Sequence, residues 1–382
     1  MKSSIVTIGL FLLSLSCSNP LSEDVDHSEK IIESIENQYN SFLKINAGQN
    51  EKSGIYLNNG YFAGVNWNLF ILSGDKRFEA LANESLSSIE KHFQDSPDCC
   101  RGHELLAGFA TGIKITQNDA YKKHLIETVK AMTHEFDPET GWFYLDEDSK
   151  SHTNYNFGFE SIMKLESLFY VARLTADPVY YNIAIKHAEV ILDSYFKHHS
   201  TADFPGEIME YSGGNENSPL QADNTFQTDD FKLKSLIVYS CGLIFRETGD
   251  SKYRNLAESF VTLISEQLNY SGTKASGADL VQYINDNNVD ITSLAVLTSA
   301  LYDLSLSLDN KSLYIDKASQ FISVLSTKKY FEYQNWPDKA SLFHGNNTPK
   351  DVDLSSGGTF FIKEYFLLEA LNKKQKLEES AS

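Results

Sequence analysis

At 382 residues, 41% of them hydrophobic, the chain is long enough to bury a large core in one big domain or two. Its net charge of −19 argues against a nucleic-acid partner, because neutralising phosphates needs an excess of Lys and Arg. It leaves room for a small anionic ligand, since a local cluster of cations overrides the global sign.

The N-terminus reads as an export signal. Lys2 supplies a positive start, Ile5 to Leu15 a short apolar run, and Ser14-Leu15-Ser16-Cys17 the pattern of a lipoprotein cleavage site. The run is too short to span a bilayer. Residues 1–17 are therefore expected to be a signal peptide with Cys17 as the lipidated residue, and 18–27 an exported linker; an ordinary signal peptide with a chance cysteine is the plainer alternative. The remaining cysteines, Cys99, Cys100 and Cys241, form a poor disulfide framework and show no zinc spacing, so they are expected to be structural thiols.

From about residue 28 the chain repeats one design. Asp75, Asp119, Asp177, Asp250 and Asp309 each sit between two helical patterns, 44 to 73 residues apart. Each reads as a helix stop, an aspartate N-cap, then an amphipathic run such as Leu256, Phe260, Ile264. That period is a helix pair plus a loop. Long aromatic loops alternate with these tight turns, which favours a closed ring of helix pairs with one working face over an open solenoid. No Gly/Ser linker interrupts the pattern. The expected organisation is an all-α domain over 28–373, followed by a polar tail over 374–382.

Chemistry-bearing residues cluster at helix starts. In Asn59-Gly60-Tyr61-Phe62-Ala63-Gly64, glycines bracket aromatics; Tyr61 is assigned to a pocket and Trp67 to the core. Cys100-Arg101-Gly102-His103-Glu104-Leu105 and Asn154-Tyr155-Asn156-Phe157-Gly158-Phe159-Glu160 each deliver a carboxylate at the entrance of an apolar helix. Either acid alone is explained by the helix dipole. Two at matched positions suit general acid/base work. His103 fits either a hydrogen bond to a substrate carboxylate or hydroxyl, or a helix-capping or solvated role. Lys164, four residues after Glu160, reads as its surface ion-pair partner. Gln221, Lys232 and Lys234 precede another apolar helix, where the lysines either receive an anion or form a solvated face. Ser356 and Thr359, in Ser355-Ser356-Gly357-Gly358-Thr359, offer backbone N–H groups to a carboxylate. No Walker loop, dinucleotide fingerprint or serine-hydrolase elbow is present.

Taken in order, several of these segments resemble the unsaturated glucuronyl hydrolases of glycoside hydrolase family 88, with family 105 a close relative. Asn59 to Gly64 resembles the family's Asp-Gly-Phe-Trp-x-Gly segment. His103-Glu104-Leu105 to Gly108-Phe109 resembles its His-Asp-Leu-Gly-Phe, and Phe159 to Glu166 its Ile-Asp-x-Met-Met-Asn-Leu-Glu. Asp290-Ile291-Thr292-Ser293 and Glu364-Tyr365-Phe366-Leu367-Leu368-Glu369-Ala370-Leu371 match two later segments. The resemblance implies an (α/α)6 barrel. It also implies a glycosidase that hydrates the C4=C5 double bond of a 4,5-unsaturated uronic acid left by a polysaccharide lyase, with no metal or organic cofactor. On that resemblance Glu160 is the acid/base and Glu104 its partner. His103, Tyr61 and Gln221 map onto sugar contacts, and Lys232 falls near a family arginine.

This chain departs from the family at both catalytic positions, where Glu replaces Asp. It departs again at Leu57 and at Leu236-Ile237-Val238, where the family has tryptophans. A non-catalytic sugar-binding lipoprotein, or a glucuronidase or lyase of other specificity on the same scaffold, therefore stands beside the hydrolase reading.

Overall fold

The computed structural model describes residues 27–37, 59–93, 102–143, 159–198, 230–268, 289–307, 311–327 and 361–381. Short pieces at 154–155, 211–212 and 221–222 and the single positions 40, 280, 282 and 284 are also described. The helices are α1 (residues 27–37), α2 (Gly60–Ser73), α3 (Lys76–Phe93), α4 (Gly102–Thr116), α5 (Asp119–Met132) and α6 (Phe159–Thr175). They continue with α7 (Pro178–His198), α8 (Asp230–Thr248), α9 (Ser251–Leu268), α10 (Ile291–Ser307), α11 (Lys311–Leu325) and α12 (Ile362–Ala381).

Two kinds of helix alternate, and their residues explain why. In α2 every residue from Gly60 to Leu69 is buried, and in α10 burial runs unbroken from Thr292 to Tyr302. A helix that is apolar around its circumference has to be enclosed. In α9 the buried set is Tyr253, Ala257, Phe260, Val261, Ile264 and Leu268, a stripe at three- and four-residue spacing that suits a helix with one side in water. The enclosed helices α2, α4, α6, α8, α10 and α12 pack in that order, and α12 packs back against α2. The partners α3, α5, α7, α9 and α11 form the outer layer, each against the enclosed helix it follows. The first helix closes the outer layer: Ser28 of α1 accepts from Lys374 of α12, and His27 meets Ser326 at the end of α11. The expected ring of helix pairs is thus observed.

The turns from inner to outer helix share a device that goes beyond the aspartate repeat. Ser73, Thr116, Thr175 and Thr248 each donate from the hydroxyl to the carbonyl four residues back. Each hydroxyl then accepts the N–H two residues on. The intervening residue is left-handed, with φ of 73° at Gly74, 56° at Gln117, 55° at Ala176 and 70° at Gly249. Asp75, Asp177 and Asp250 then cap the outer helix through Oδ1, as expected. At the second turn the cap is Asn118, not Asp119, which is instead the first helical residue. An amide oxygen accepts the orphan N–H as well as a carboxylate does. Asp309 lies outside the described residues.

Helix α12 runs through 373 to Ala381, where Lys374 is buried against α1 and Leu377 packs on the core, so residues 374–381 of the polar tail continue the last helix. An antiparallel sheet of three two-residue strands, β1 (Asn154–Tyr155), β2 (Tyr211–Ser212) and β3 (Gln221–Ala222), accompanies the helices, and the expected all-α class holds. Trp67 is in the core, as expected. Cys241 is a buried free thiol whose desolvation pushes its pKa up to about 12, which suits a structural role. Among the described residues no helix is long and apolar enough to cross a membrane. Cys17, Cys99 and Cys100 lie outside the described residues.

Candidate active site

All six inner helices begin at one end of the ring, while the two-residue turns lie at the other end. Six helix N-termini gather partial positive charge at that pole, which favours an anion in an otherwise acidic protein. The two sequence-predicted carboxylates both arrive there. Glu104 is the third residue of α4 and Glu160 the second residue of α6, and these helices are neighbours in the ring.

Glu104 is 4% exposed. Its Oε1 accepts the backbone N–H of Gly60, the first residue of α2, at 2.7 Å. This contact needs glycine, because a Cβ at residue 60 would stand 2.1 Å from the Glu104 carbonyl oxygen. The two helices touch through backbone, and that closeness fixes the carboxylate. The side chain of Glu160 lies outside the described residues.

Tyr61 and His103 are brought together. The Tyr61 hydroxyl lies 2.6 Å from His103 Nδ1, and both side chains are buried. The His103 ring stacks on Phe366 at an interplanar angle of 10° and meets Tyr365 edge-on. Its Nε2 lies 3.3 Å from Glu166 Oε2, off the ideal hydrogen-bond line but at ion-pair distance. Sequence reasoning passed over Glu166, two turns into α6. Tyr239 of α8 donates to the same carboxylate oxygen, and Arg246 Nη2 lies 3.6 Å from the other. Burial alone would raise the Glu166 pKa, but His103, Arg246 and Tyr239 outweigh it and hold the carboxyl well below its usual range. Burial likewise drives the Tyr239 hydroxyl well above its ordinary value, helped by the Glu166 charge.

From Glu166 the charges continue into the barrel. Arg246 Nη1 reaches Asp303 at 2.8 Å, and Lys373 reaches Asp303 at 3.1 Å and Glu369 at 3.3 Å. Ser299 donates to Glu369 at 2.7 Å. The signal in the sequence was a charged residue in the middle of an apolar inner helix, as at Glu166 and Glu369.

The other predicted residues divide. Lys232, third residue of α8, is half-buried at the same pole as Glu104. Lys234 donates to Gln267 of the outer helix α9 at 3.0 Å. Gln221 belongs to β3, joined through β2 to the β1 segment that leads into α6, so the sheet ties it to the Glu160 approach. Whether Lys164 meets Glu160, as the sequence spacing suggests, lies outside the described residues. Lys164 forms a buried ion pair with Glu135 at 3.2 Å and lies over the Phe143 ring at 4.8 Å, because its face of α6 meets the segment after α5. Asp290 caps α10 at this pole, accepting Ser293 N–H at 2.9 Å. Ser356 and Thr359 lie outside the described residues, among which no group of three His, Cys, Asp or Glu is placed to hold a metal.

No protein-family model matches the chain. A curated protein of Formosa agariphila, unsaturated glucuronyl hydrolase, is 23% identical over 399 residues, covering 98% of both chains. Over nearly its whole length the chain is similar to an unsaturated glucuronyl hydrolase. Two solved structures agree on the fold. An unsaturated glucuronyl hydrolase specific for heparin superposes with a TM-score of 0.59 at 18% identity, over 84% of this chain and 86% of that one. The unsaturated glucuronyl hydrolase of Bacillus sp. GL1, responsible for degradation of glycosaminoglycan, gives a TM-score of 0.60 at 14% identity, over 83% and 85%. The architecture is therefore the (α/α)6 barrel that the sequence resemblance implied.

Proposed function

We propose that this protein is a glycosidase that removes the 4,5-unsaturated uronic acid from the non-reducing end of lyase-generated oligosaccharides. The observation that carries this reading is the delivery of two carboxylates, Glu104 and Glu160, by neighbouring inner helices to the pole where six helix N-termini converge. The full-length likeness to an unsaturated glucuronyl hydrolase supports it.

The chemistry follows from the double bond. A carboxylic acid, Glu160, gives its proton to C4, and a water adds at C5 while a carboxylate takes the water's second hydrogen. The net addition is one water across C4=C5. The C5 hemiketal opens by breaking the ring C–O bond, leaving a ketone at C5 and a hemiacetal at C1 that releases the remaining sugar. Glu104, held by the Gly60 N–H, stays fixed while charge develops beside it, and pre-fixed groups of this kind lower the reorganisation needed in the transition state. Each glutamate reaches one methylene further than an aspartate. The substrate must therefore sit farther from the backbone of α4 and α6 than it would with aspartates, because catalysis tolerates little displacement.

The substrate is an anionic unsaturated oligosaccharide supplied by a polysaccharide lyase, and the work is polysaccharide breakdown. Lys232 and the helix N-termini supply positive potential for the uronate carboxylate. Export with lipid anchoring at Cys17 places the enzyme in the periplasm or at the cell surface; the N-terminal pattern described above is its support. The test is a panel of lyase-generated oligosaccharides mixed with protein lacking residues 1–17, followed by absorbance of the conjugated double bond. Loss of absorbance that disappears in Glu160→Gln is expected. No loss on any fragment, with sugar binding retained, overturns the reading in favour of a binding protein.

A further inference from the structure

The position of Glu166 bears on which proton His103 carries. The imidazole is fixed from four sides: Phe366 stacks on it, Tyr365 meets its edge, Tyr61 faces Nδ1 and Glu166 faces Nε2. These partners come from α12, α2 and α6, so three inner helices hold a ring that belongs to a fourth, α4. Glu166 is in turn held by Tyr239 and Arg246 of α8. Beyond Arg246 lie Asp303 of α10 and Lys373 and Glu369 of α12.

An ionised carboxylate only accepts hydrogen bonds, so the ring nitrogen facing it has to bear the hydrogen. Its neighbours keep Glu166 ionised, as described above. Nε2 then carries N–H, Nδ1 of the neutral ring is an acceptor, and the hydrogen in the 2.6 Å contact belongs to Tyr61.

We propose that Glu166 is a positioning residue that sets the tautomer of His103, so that Tyr61 donates inward to Nδ1 and presents its oxygen to the site as an acceptor only. The proposal rests on the hydrolase reading for its ligand: an acceptor recognises a hydroxyl of the uronyl ring and repels its carboxylate, so Tyr61 helps set which edge of the sugar enters. The arrangement is the logic by which a buried carboxylate orients a histidine in hydrolytic triads, applied here to a binding tyrosine.

The test is a long-range proton–nitrogen spectrum of histidine-labelled protein at mildly alkaline pH, with His103→Gln used for assignment. Wild type is expected to show hydrogen on Nε2 and none on Nδ1. Glu166→Gln, which keeps shape and loses charge, should shift His103 to a mixture of tautomers, and Glu166→Asp should restore the wild-type pattern in part. On an active substrate, Glu166→Gln should raise KM about tenfold, as loss of one hydrogen bond does, with kcat changed less. Hydrogen on Nδ1 or on both nitrogens in wild type, or an unchanged tautomer in folded Glu166→Gln, overturns the proposal. The wild-type spectrum decides even if the variant does not fold. A protein with the expected tautomer and no hydrolase activity retains the positioning role and loses the functional reading.

Discussion

Gly60→Ala is the sharpest single test of how the fold builds the site. The added Cβ would lie 2.1 Å from the Glu104 carbonyl oxygen, 2.6 Å from its carbonyl carbon and 3.0 Å from Leu105 N. All three are backbone atoms, so no rotamer change relieves the clash, and α2 and α4 have to separate by roughly 1 Å to restore ordinary contact distances. Overpacking of this kind costs about 1–3 kcal/mol, and the rigid neighbour puts Gly60→Ala at the upper end. With an unfolding entropy of about 2.1 cal/mol/K per residue, a chain of 382 residues has about 0.8 kcal/mol/K, so 3 kcal/mol lowers Tm by about 4 °C. The same separation stretches the 2.7 Å bond from Gly60 N–H to Glu104. Hydrogen bonds to charged groups contribute about 1.5–3 kcal/mol, so turnover should fall about 10- to 100-fold. Thermal unfolding by circular dichroism and loss of double-bond absorbance measure the two effects. Gly74→Ala is the control: its φ of 73° penalises a side chain, nothing lies within 4 Å, and it sits at the opposite pole. It should lose about 1 kcal/mol of stability with turnover intact. A Gly60→Ala protein with wild-type Tm and turnover would refute the claim that backbone contact between α2 and α4 fixes the carboxylate.

Other outcomes follow from the same geometry. Ala176, left-handed at φ 55° where two sister turns use glycine, should become more stable as Ala176→Gly by up to about 1 kcal/mol, visible as a rise in Tm. Glu135→Ala strands a buried Lys164 ammonium and should cost about 3–5 kcal/mol by chemical denaturation, while adding Lys164→Met should recover most of it. The folded Glu166 pKa lies below its ordinary 4.5, so its contribution to stability is complete above that pH and is lost as pH falls toward the folded value. Unfolding free energy measured between about pH 5 and pH 3 should therefore drop less steeply in Glu166→Gln than in wild type; parallel curves would contradict this.

Much of this was legible from residue order because the signals are local. Asp75, Asp177 and Asp250 announced their turns, since an N-cap bond spans only two residues. The apolar circumference of α2 and α10 against the stripe on α9 separates inner from outer helices, and each pattern is contained within one helix. Glu104 and Glu160 stood out because a helix entrance is a sequence feature, and Trp67, assigned to the core from the sequence, is buried there.

What the sequence by itself determined was therefore the helices, their turns, the ring they close into and the pole at which two acids arrive. Only the tertiary structure decided the partners. Lys164 reads as the neighbour of Glu160 along one helix, yet its ammonium sits with Glu135, 29 positions away. Glu166 reads as one more glutamate after an apolar run, and becomes the hub joining His103, Tyr239 and Arg246 from two other helices. The physical reason is range. Capping and amphipathicity act over one or two turns of a single helix, whereas a buried charge takes whichever counter-charge ring closure brings near, at sequence separations no periodicity encodes.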